Sequence, residues 1–165
     1  MSQKLVAILM GSASDAGHLA SCRKALDNLG ISHEAKVLSA HRTPDRLYDY
    51  AEGLLGRGMK VIIAGAGGAA HLPGMVASKT ILPVIGVPIK SEALNGIDSL
   101  YSIVQMPAGF PVATMAIGKA GAINAAVLAA SILALENVDI EKSLERWRTR
   151  LSKSIPHEPE EPKDV

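Results

Sequence analysis

One short segment of the chain combines side chains that can bind anions or move protons. Within six consecutive residues stand Ser39, His41, Arg42 and Thr43. A histidine releases and takes up a proton near neutral pH, so His41 is a candidate catalytic acid or base. Arg42 can bind a phosphate through two parallel hydrogen bonds, and Ser39 can add a donor. The alternative is a surface turn in which Thr43 caps a helix that begins at Pro44.

A second polar segment, residues 11–15, contains two serines and an aspartate between a predicted strand and a predicted helix. Ser12 and Ser14, placed at a helix N-terminus, would form a phosphate-binding loop. Serine and aspartate are also ordinary helix N-caps, and this segment taken alone favours capping. Asp15 argues against phosphate at its own position and suits an acceptor for ribose hydroxyl groups.

The third segment, residues 65–74, is rich in glycine. Gly67 and Gly68 would let the backbone approach a ligand closely and donate N–H groups to it. The spacing nearly matches the dinucleotide-binding fingerprint, but the next predicted strand ends at Pro88 and lacks the acidic residue that the fingerprint requires. A planar ring against bare backbone is the better prediction. His71 is either a structural histidine or a second ligand contact, and the residues favour neither.

The pattern of apolar residues predicts the elements that position these segments. Apolar runs predict strands at 5–10, 61–64 and 84–87, and the more polar segments 34–38 and 112–117 are also interpreted as strands. Helical spacing predicts helices at 14–29, 44–54, 69–79, 99–105, 120–135 and 140–151. Alternating strands and helices predict an α/β fold: a flavodoxin-like, doubly wound, mainly parallel five-stranded sheet of order 2-1-3-4-5 in three α/β/α layers, with an extra C-terminal helix.

The predicted strand order brings the three polar segments together. Ligands of open parallel sheets bind beyond the carboxyl ends of the strands, near the point where the strand order reverses. Under the order 2-1-3 the segment after the first strand lies between the other two. We therefore prefer the functional interpretation of His41 and Arg42 to a surface turn.

Composition narrows the function classes. The 165 residues carry a net charge of +1, which gives no electrostatic basis for binding nucleic acid or an anionic membrane. The single cysteine, Cys22, forms no internal disulfide and is interpreted as a small helical residue, and no Cys/His cluster has metal-ligand spacing. With no signal-peptide pattern at the start, a cytoplasmic protein is expected. Residues 1–153 form one predicted catalytic domain, followed by a Pro- and acid-rich tail at 154–165.

The predicted helix at 120–135 lacks a polar face, since only Ser131 is polar between Ala125 and Leu135. The run is too short to span a membrane. It must be buried inside the domain or under another subunit, and in so small a domain the second is preferred. We therefore predict a homo-oligomer. Lys119 and Asn124 near the start of this helix are either caps or ligand-edge residues.

Several ungapped motifs resemble a known family. The chain is similar, over roughly residues 4–150, to the bacterial class of 5-(carboxyamino)imidazole ribonucleotide mutases. The motifs that carry the resemblance are MGSASD at 10–15, SAHRTPD at 39–45, AGAGGAAHLPGM at 64–75, GVP at 86–88, DSLYSIVQMP at 98–107 and AIGKAGAINAA at 116–126.

The resemblance implies a purine-pathway isomerase that moves a carboxylate from an exocyclic nitrogen to a ring carbon, without cofactor or metal. It implies octamers with the site between subunits. It makes His41 the catalytic acid and base, and Ser12, Asp15 and Arg42 substrate-binding residues. Further substrate contacts are implied for Ser14, Ser39, Gly67, Gly68 and His71. The alternatives are direct carboxylation of the aminoimidazole ribonucleotide, which the GGAAHLPGM stretch disfavours, a nucleotide-sensing module without catalysis, and flavin binding, which the scarcity of aromatic residues disfavours.

Overall fold

The computed structural model describes residues 3–159 and contains five strands and six α-helices over that range. The strands are β1 Val6–Met10, β2 His33–Val37, β3 Val61–Gly67, β4 Val84–Ile89 and β5 Ala113–Thr114. The helices are α1 Ala20–Asn28, α2 Pro44–Gly53, α3 Leu72–Ala77, α4 Ile97–Val104, α5 Lys119–Ala134 and α6 Val138–Lys153, and a short 3-10 helix, Ala13–Ala16, precedes α1.

The five strands form one sheet of order β2-β1-β3-β4-β5, and every neighbouring pair is parallel. The predicted fold class and strand order are therefore confirmed. The central strands β1 and β4 are buried along their whole length, which is why their sequences are unbroken apolar runs. All five strands point the same way, so the segments that follow them emerge at one edge of the sheet.

Alternate side chains of each strand divide the core into two halves. Ile8 and Ile63 lie in the half that is covered by α1, α5 and α6. Their sequence neighbours Leu9 and Ile62 point to the opposite face, where α2, α3 and α4 cover them. This alternation follows from the period of two in an extended strand. The three predicted layers are thus present, with α6 as the extra C-terminal helix.

Several predicted boundaries differ from the structure, and the fifth strand, expected at 112–117, comprises only Ala113–Thr114. The helix expected at 14–29 is two elements, because Ser12 caps a one-turn 3-10 helix before α1 begins at Ala20. The third strand continues through the glycines as far as Gly67, three residues beyond its predicted end. The helix expected at 69–79 begins at Leu72, which places Pro73 in the first turn, where proline is tolerated.

Helix α5 is covered mainly by its own chain, which corrects the preferred explanation of its apolar sequence. Its alanine face packs on the sheet, and α1 and α6 lie against its sides. Val127, Leu128 and Ile132 are partly buried, while Asn124 is exposed. In a small doubly wound domain one helix can be flanked by two others. The helix therefore gives no argument for a partner subunit.

The remaining sequence predictions for this part of the chain have mixed outcomes. Cys22 is fully buried in α1, and burial raises the pKa of its thiol to about 12, as suits a packed structural residue. No helix of residues 3–159 has the length and apolar character needed to cross a membrane. Residues 154–159 are exposed and follow the end of α6, whereas 160–165 of the predicted tail lie outside the described residues. The domain boundary at 153 stays a prediction.

Candidate active site

A cleft of about 630 Å³ opens at the carboxyl edge of the sheet, between the segments that follow β1, β2, β3 and β4. The nine residues that the resemblance assigns to catalysis or substrate binding all line this cleft. They are Ser12, Ser14, Asp15, Ser39, His41, Arg42, Gly67, Gly68 and His71. The cleft exists because parallel strands deliver all of their following segments to one edge. Its lining thus joins residues that are up to 81 positions apart in sequence, from Gly11 to Glu92.

His41 and His71 contact each other directly in the cleft. The Nε2 atom of His41 lies 2.8 Å from the Nδ1 atom of His71, and the two rings meet edge to face. One of the two nitrogens must carry the hydrogen and the other must accept it. Two imidazolium rings could not form this bond, because both nitrogens would then be donors. Either nitrogen can be the donor, so the tautomers of the two rings are coupled through this bond.

Arg42 is held at the junction of two segments. Its Nε donates to the Oγ of Ser39 at 3.1 Å, and its Nη2 donates to the carbonyl oxygen of Gly11 at 3.2 Å. These contacts connect the segment after β2 to the segment after β1. Of the five N–H donors of the guanidinium, two are used by the described residues. The rest can bind an anion in the cleft while the side chain is already oriented.

The turn around Arg42 is stabilised from within. Thr43 stands at the N-cap position of α2, but its hydroxyl does not bond to a helix N–H. Instead the Thr43 Oγ1 donates to the carbonyl of Ser39 and accepts from the Ser39 N–H. Thr43 therefore occupies the N-cap position, as the capping interpretation expected, but its side chain does not make the hydrogen bond of an N-cap. The closed turn points His41 and Arg42 into the cleft.

The segment after β1 is a capped turn, as its sequence alone favoured. Ser12 is the N-cap of the 3-10 helix and forms a capping box with Asp15. The Oδ2 atom of Asp15 accepts from the N–H of Ser12 at 3.0 Å, and the hydroxyl of Ser14 donates to that of Ser12 at 2.9 Å. The capping does not exhaust these groups, because the second carboxylate oxygen of Asp15 can still accept a hydrogen bond from a ligand.

Gly67 and Gly68 form the glycine wall of the cleft. The N–H group of Gly68 has a different partner from the one that the sequence led us to expect. Gly68 has a φ of 66°, which only glycine adopts without strain, and a Cβ there would meet open space. Its N–H, expected to face a ligand, instead donates to the Oγ of Ser99 at 2.9 Å. Gly68 thus contributes a bare surface to the cleft. Gly67, the last residue of β3, lies beside Ile89 of β4 and is also bare.

Four further polar residues line the cleft and were not singled out from the sequence. They are His18, Lys90, Ser91 and Glu92. The last three follow β4 directly, so the strand-end rule applied to that strand would have found them. His18 lies just after the 3-10 helix, where no pattern marks it. Lys119 and Asn124 are exposed near the start of α5 and are not among the lining residues.

The charges of the cleft are balanced. Arg42 and Lys90 are positive, whereas Asp15 and Glu92 are negative. A ligand with an anionic group and several hydroxyls fits this mixture better than a polyanion would. Within residues 3–159 no three His, Cys, Asp or Glu side chains are grouped so that they could hold a metal ion.

Comparison with known proteins agrees with this geometry. The family model described as AIR carboxylase matches residues 5–154. The N5-carboxyaminoimidazole ribonucleotide mutase of Pseudomonas aeruginosa is 58% identical over 98% of each chain. The enzyme of the same name from Bacillus subtilis is 58% identical over 93% of this chain and 94% of its own.

A solved structure is also similar. The crystal structure of Treponema denticola PurE superimposes with a TM-score of 0.83 at 30% identity, and the match covers 91% of this chain and 92% of that one. Sequence and fold agree along nearly the whole length of these proteins. The chain therefore belongs to the AIR carboxylase family.

Proposed function

We propose that this protein is an isomerase of purine biosynthesis. It converts 5-carboxyamino-1-(5-phosphoribosyl)imidazole to 5-amino-1-(5-phosphoribosyl)imidazole-4-carboxylate. Full-length relatives that are 54–58% identical bear the name of this mutase. The observation that carries the proposal is the hydrogen-bonded pair of His41 and His71 in a cleft beside Arg42. The reaction needs one mobile proton and an anchor for a phosphate, and these residues supply both.

The chemistry requires no more than proton transfer in a confined site. A carbamate loses carbon dioxide once its nitrogen is protonated, and the aminoimidazole that remains is nucleophilic at the adjacent ring carbon. His41 donates the proton to that nitrogen as the N–C bond breaks. After the ring carbon has attacked the carbon dioxide, His41 removes the proton from that carbon. The proton count balances, so His41 ends the cycle in its starting state. Confinement keeps the carbon dioxide close to the ring between the two steps.

The cleft suggests a role for each remaining residue. Arg42 and Ser39 are placed to bind the phosphate, because Arg42 retains donors that are already oriented. The free carboxylate oxygen of Asp15 suits a ribose hydroxyl, and the adjacent hydroxyls of Ser12 and Ser14 can serve the same nucleotide.

The flat surface of Gly67 and Gly68 leaves room for the imidazole ring. We expect the ring to lie near the histidine pair and the phosphate near the turn after β2.

A direct assay with both substrates tests the function. Purified protein is expected to convert the carbamate nucleotide to the ring carboxylate without ATP, bicarbonate or added metal. The rival activity, carboxylation of the aminoimidazole ribonucleotide by free carbon dioxide, is measured in parallel with the same product detection. Specificity is compared as kcat/KM for the two substrates. A higher kcat/KM for direct carboxylation, or no conversion of the carbamate, would overturn the proposal.

We also propose that the chain assembles into a homo-oligomer, and the family resemblance makes it an octamer. The support comes from α4. Ile97, Tyr101 and Val104 are 49%, 62% and 47% exposed, and their spacing of four and three residues puts them on one side of the helix. An apolar stripe on an exposed helix is typical of an interface. The opposite side of α4 contacts Gly68, so a partner here would lie close to the cleft. A cytoplasmic location stays a prediction.

Light scattering after size exclusion checks this assembly. The wild-type chain is expected to elute with the mass of eight copies, and Tyr101→Glu is expected to shift it to smaller species, because a buried carboxylate lacks a partner at the interface. Leu135→Glu is the matched control. Leu135 is also exposed, at the far end of α5, and this change should leave the mass unaltered. A monomeric wild-type protein would refute the assembly.

A further inference from the structure

Ser99 lies behind the glycine wall of the cleft and does not line the cleft itself. It is the one polar or charged residue in the buried class among residues 3–159, with 0% exposure. Its hydroxyl donates to the carbonyl oxygen of Ile89 at 2.7 Å and accepts from the N–H of Gly68 at 2.9 Å. One side chain of α4 thereby joins the last residue of β4 to the segment after β3. A hydroxyl suits this position because it can donate to one backbone group and accept from the other.

The backbone of Gly68 is held at both its N–H and its carbonyl group. Ser102, three residues after Ser99 and on the same side of α4, donates its hydroxyl to the carbonyl oxygen of Gly68 at 3.3 Å. The N–H of Ala70 donates to that same oxygen at 2.8 Å. Gly68 therefore cannot rotate without breaking contacts on each side. These contacts maintain its left-handed conformation next to the cleft.

The fixed peptide is connected to the histidine pair by a short, bonded stretch of chain. Only Ala69 and Ala70 separate Gly68 from His71, and the N–H of His71 donates to the carbonyl of Ala69 at 2.8 Å. His71 then starts α3 as its N-cap residue and bonds to His41 across the cleft. A displacement of Gly68 would consequently displace the ring of His71. The 2.8 Å contact between the two rings would be lengthened or lost.

We propose that Ser99 is a positioning residue for the carboxylate migration. It sets the spacing between the ends of β3 and β4 and thereby the orientation of His71 toward His41. The proposal rests on the proposed function, since it concerns the same proton-transferring pair. Ser99 touches no substrate, so its effect is transmitted through the Gly68 peptide. Ser102 supports the same peptide through one longer bond and has a smaller effect.

Kinetics of Ser99→Ala, with Ser131→Ala as the control, test this role. Ser131 is also a helical serine, but its hydroxyl bonds to the carbonyl of Val127 in its own helix, away from the cleft. Ser99→Ala is expected to lower kcat roughly 10- to 100-fold, because small misplacements of reacting groups are costly in rate. KM is expected to change less than about threefold, since the phosphate-binding residues are unaffected. Ser131→Ala should match the wild type in both constants.

A double-mutant cycle separates positioning from general support of the fold. In a His71→Asn background, Ser99→Ala is expected to lower kcat by less than about threefold, because the ring that it orients is already absent. Melting temperatures of all variants are measured beside the kinetics, and rates are taken only where the protein is folded. If Ser99→Ala fails to fold, Ser102→Ala takes its place, with a smaller expected loss in kcat that also disappears in the His71→Asn background.

Three results would overturn the proposal. They are a wild-type kcat in folded Ser99→Ala, a loss that persists in full in the His71→Asn background, and a loss confined to KM. A wild-type protein that does not convert the carbamate nucleotide contradicts the proposed function instead. The two failures are therefore told apart by the wild-type assay alone.

Discussion

His41→Asn is expected to lower kcat by roughly 10³-fold while the protein still binds the nucleotide. An amide of similar size can occupy the space of the imidazole, but it neither gives nor takes a proton at neutral pH. Both proton transfers of the proposed cycle depend on this one side chain, so losing it blocks each of them. The residues placed to bind phosphate and ribose, Arg42 and Asp15, keep their contacts to Ser39, Gly11 and Ser12 in this variant.

Two measurements check this expectation. Steady-state turnover of the carbamate nucleotide gives kcat, and calorimetric titration with the product nucleotide gives a Kd that should stay within about threefold of the wild type. His33→Asn is the matched control, because His33 lies on the edge strand β2, where its Nδ1 contacts the carbonyl of Ile31, away from the cleft. Turnover near the wild-type rate in His41→Asn would refute the role of His41. A lost affinity with unchanged kcat would assign it to binding.

Gly121→Ala is expected to destabilise the fold by about 3 kcal/mol or more, which is at the upper end of the usual cost of overpacking. A Cβ at Gly121 would lie 1.6 Å from the carbonyl oxygen of Ala116 and 2.6 Å from its carbonyl carbon. Both atoms belong to the backbone of the connection between β5 and α5, so no flexible side chain can move aside. Either the first turn of α5 or this connection must shift, and α5 packs directly on the sheet.

Urea unfolding followed by circular dichroism measures this cost. The matched control is Gly53→Ala at the end of α2, where a Cβ would meet nothing within 4 Å and the backbone is helical. Alanine there is expected to stabilise the protein by about 0.5–1 kcal/mol, because it restricts the unfolded chain and favours helix. The two substitutions are chemically identical and should have opposite signs. Equal effects would contradict the packing argument at Gly121.

Much of the fold was accessible from the sequence, because its strongest signals are local. Buried parallel strands must be continuous apolar runs, and the runs at 5–10 and 84–87 predicted β1 and β4 closely. The strand order then followed from general rules of doubly wound sheets. The same rules indicated which segments share an edge, and they therefore predicted that His41 and Gly67 belong to one site.

The sequence could not show contacts that depend on where elements meet. The bond between His41 and His71 joins positions that are 30 residues apart. The sequence around His71 does not tell whether it contacts a ligand or is a structural histidine. Ser99 lies in α4, and its two partners belong to different parts of the sheet edge: Gly68 follows β3, and Ile89 ends β4. The apolar residues of α5 are buried because α1 and α6 pack against it, and the spacing of apolar residues along one helix does not predict which other helices pack there.

Because α6 lies on the outside of the domain, we expect it to unfold locally before the sheet does. This helix packs chiefly against α5 through Ile140, Leu144 and the half-buried Trp147, and none of its residues line the cleft. Detachment of α6 exposes less of the hydrophobic core than detachment of any strand would. Local unfolding of this helix therefore costs less free energy, and its amide hydrogens are expected to exchange with solvent before those of the sheet. In that partly open form the cleft would remain assembled. Release of α6 is therefore expected to leave the active-site cleft, and with it the proposed activity, intact.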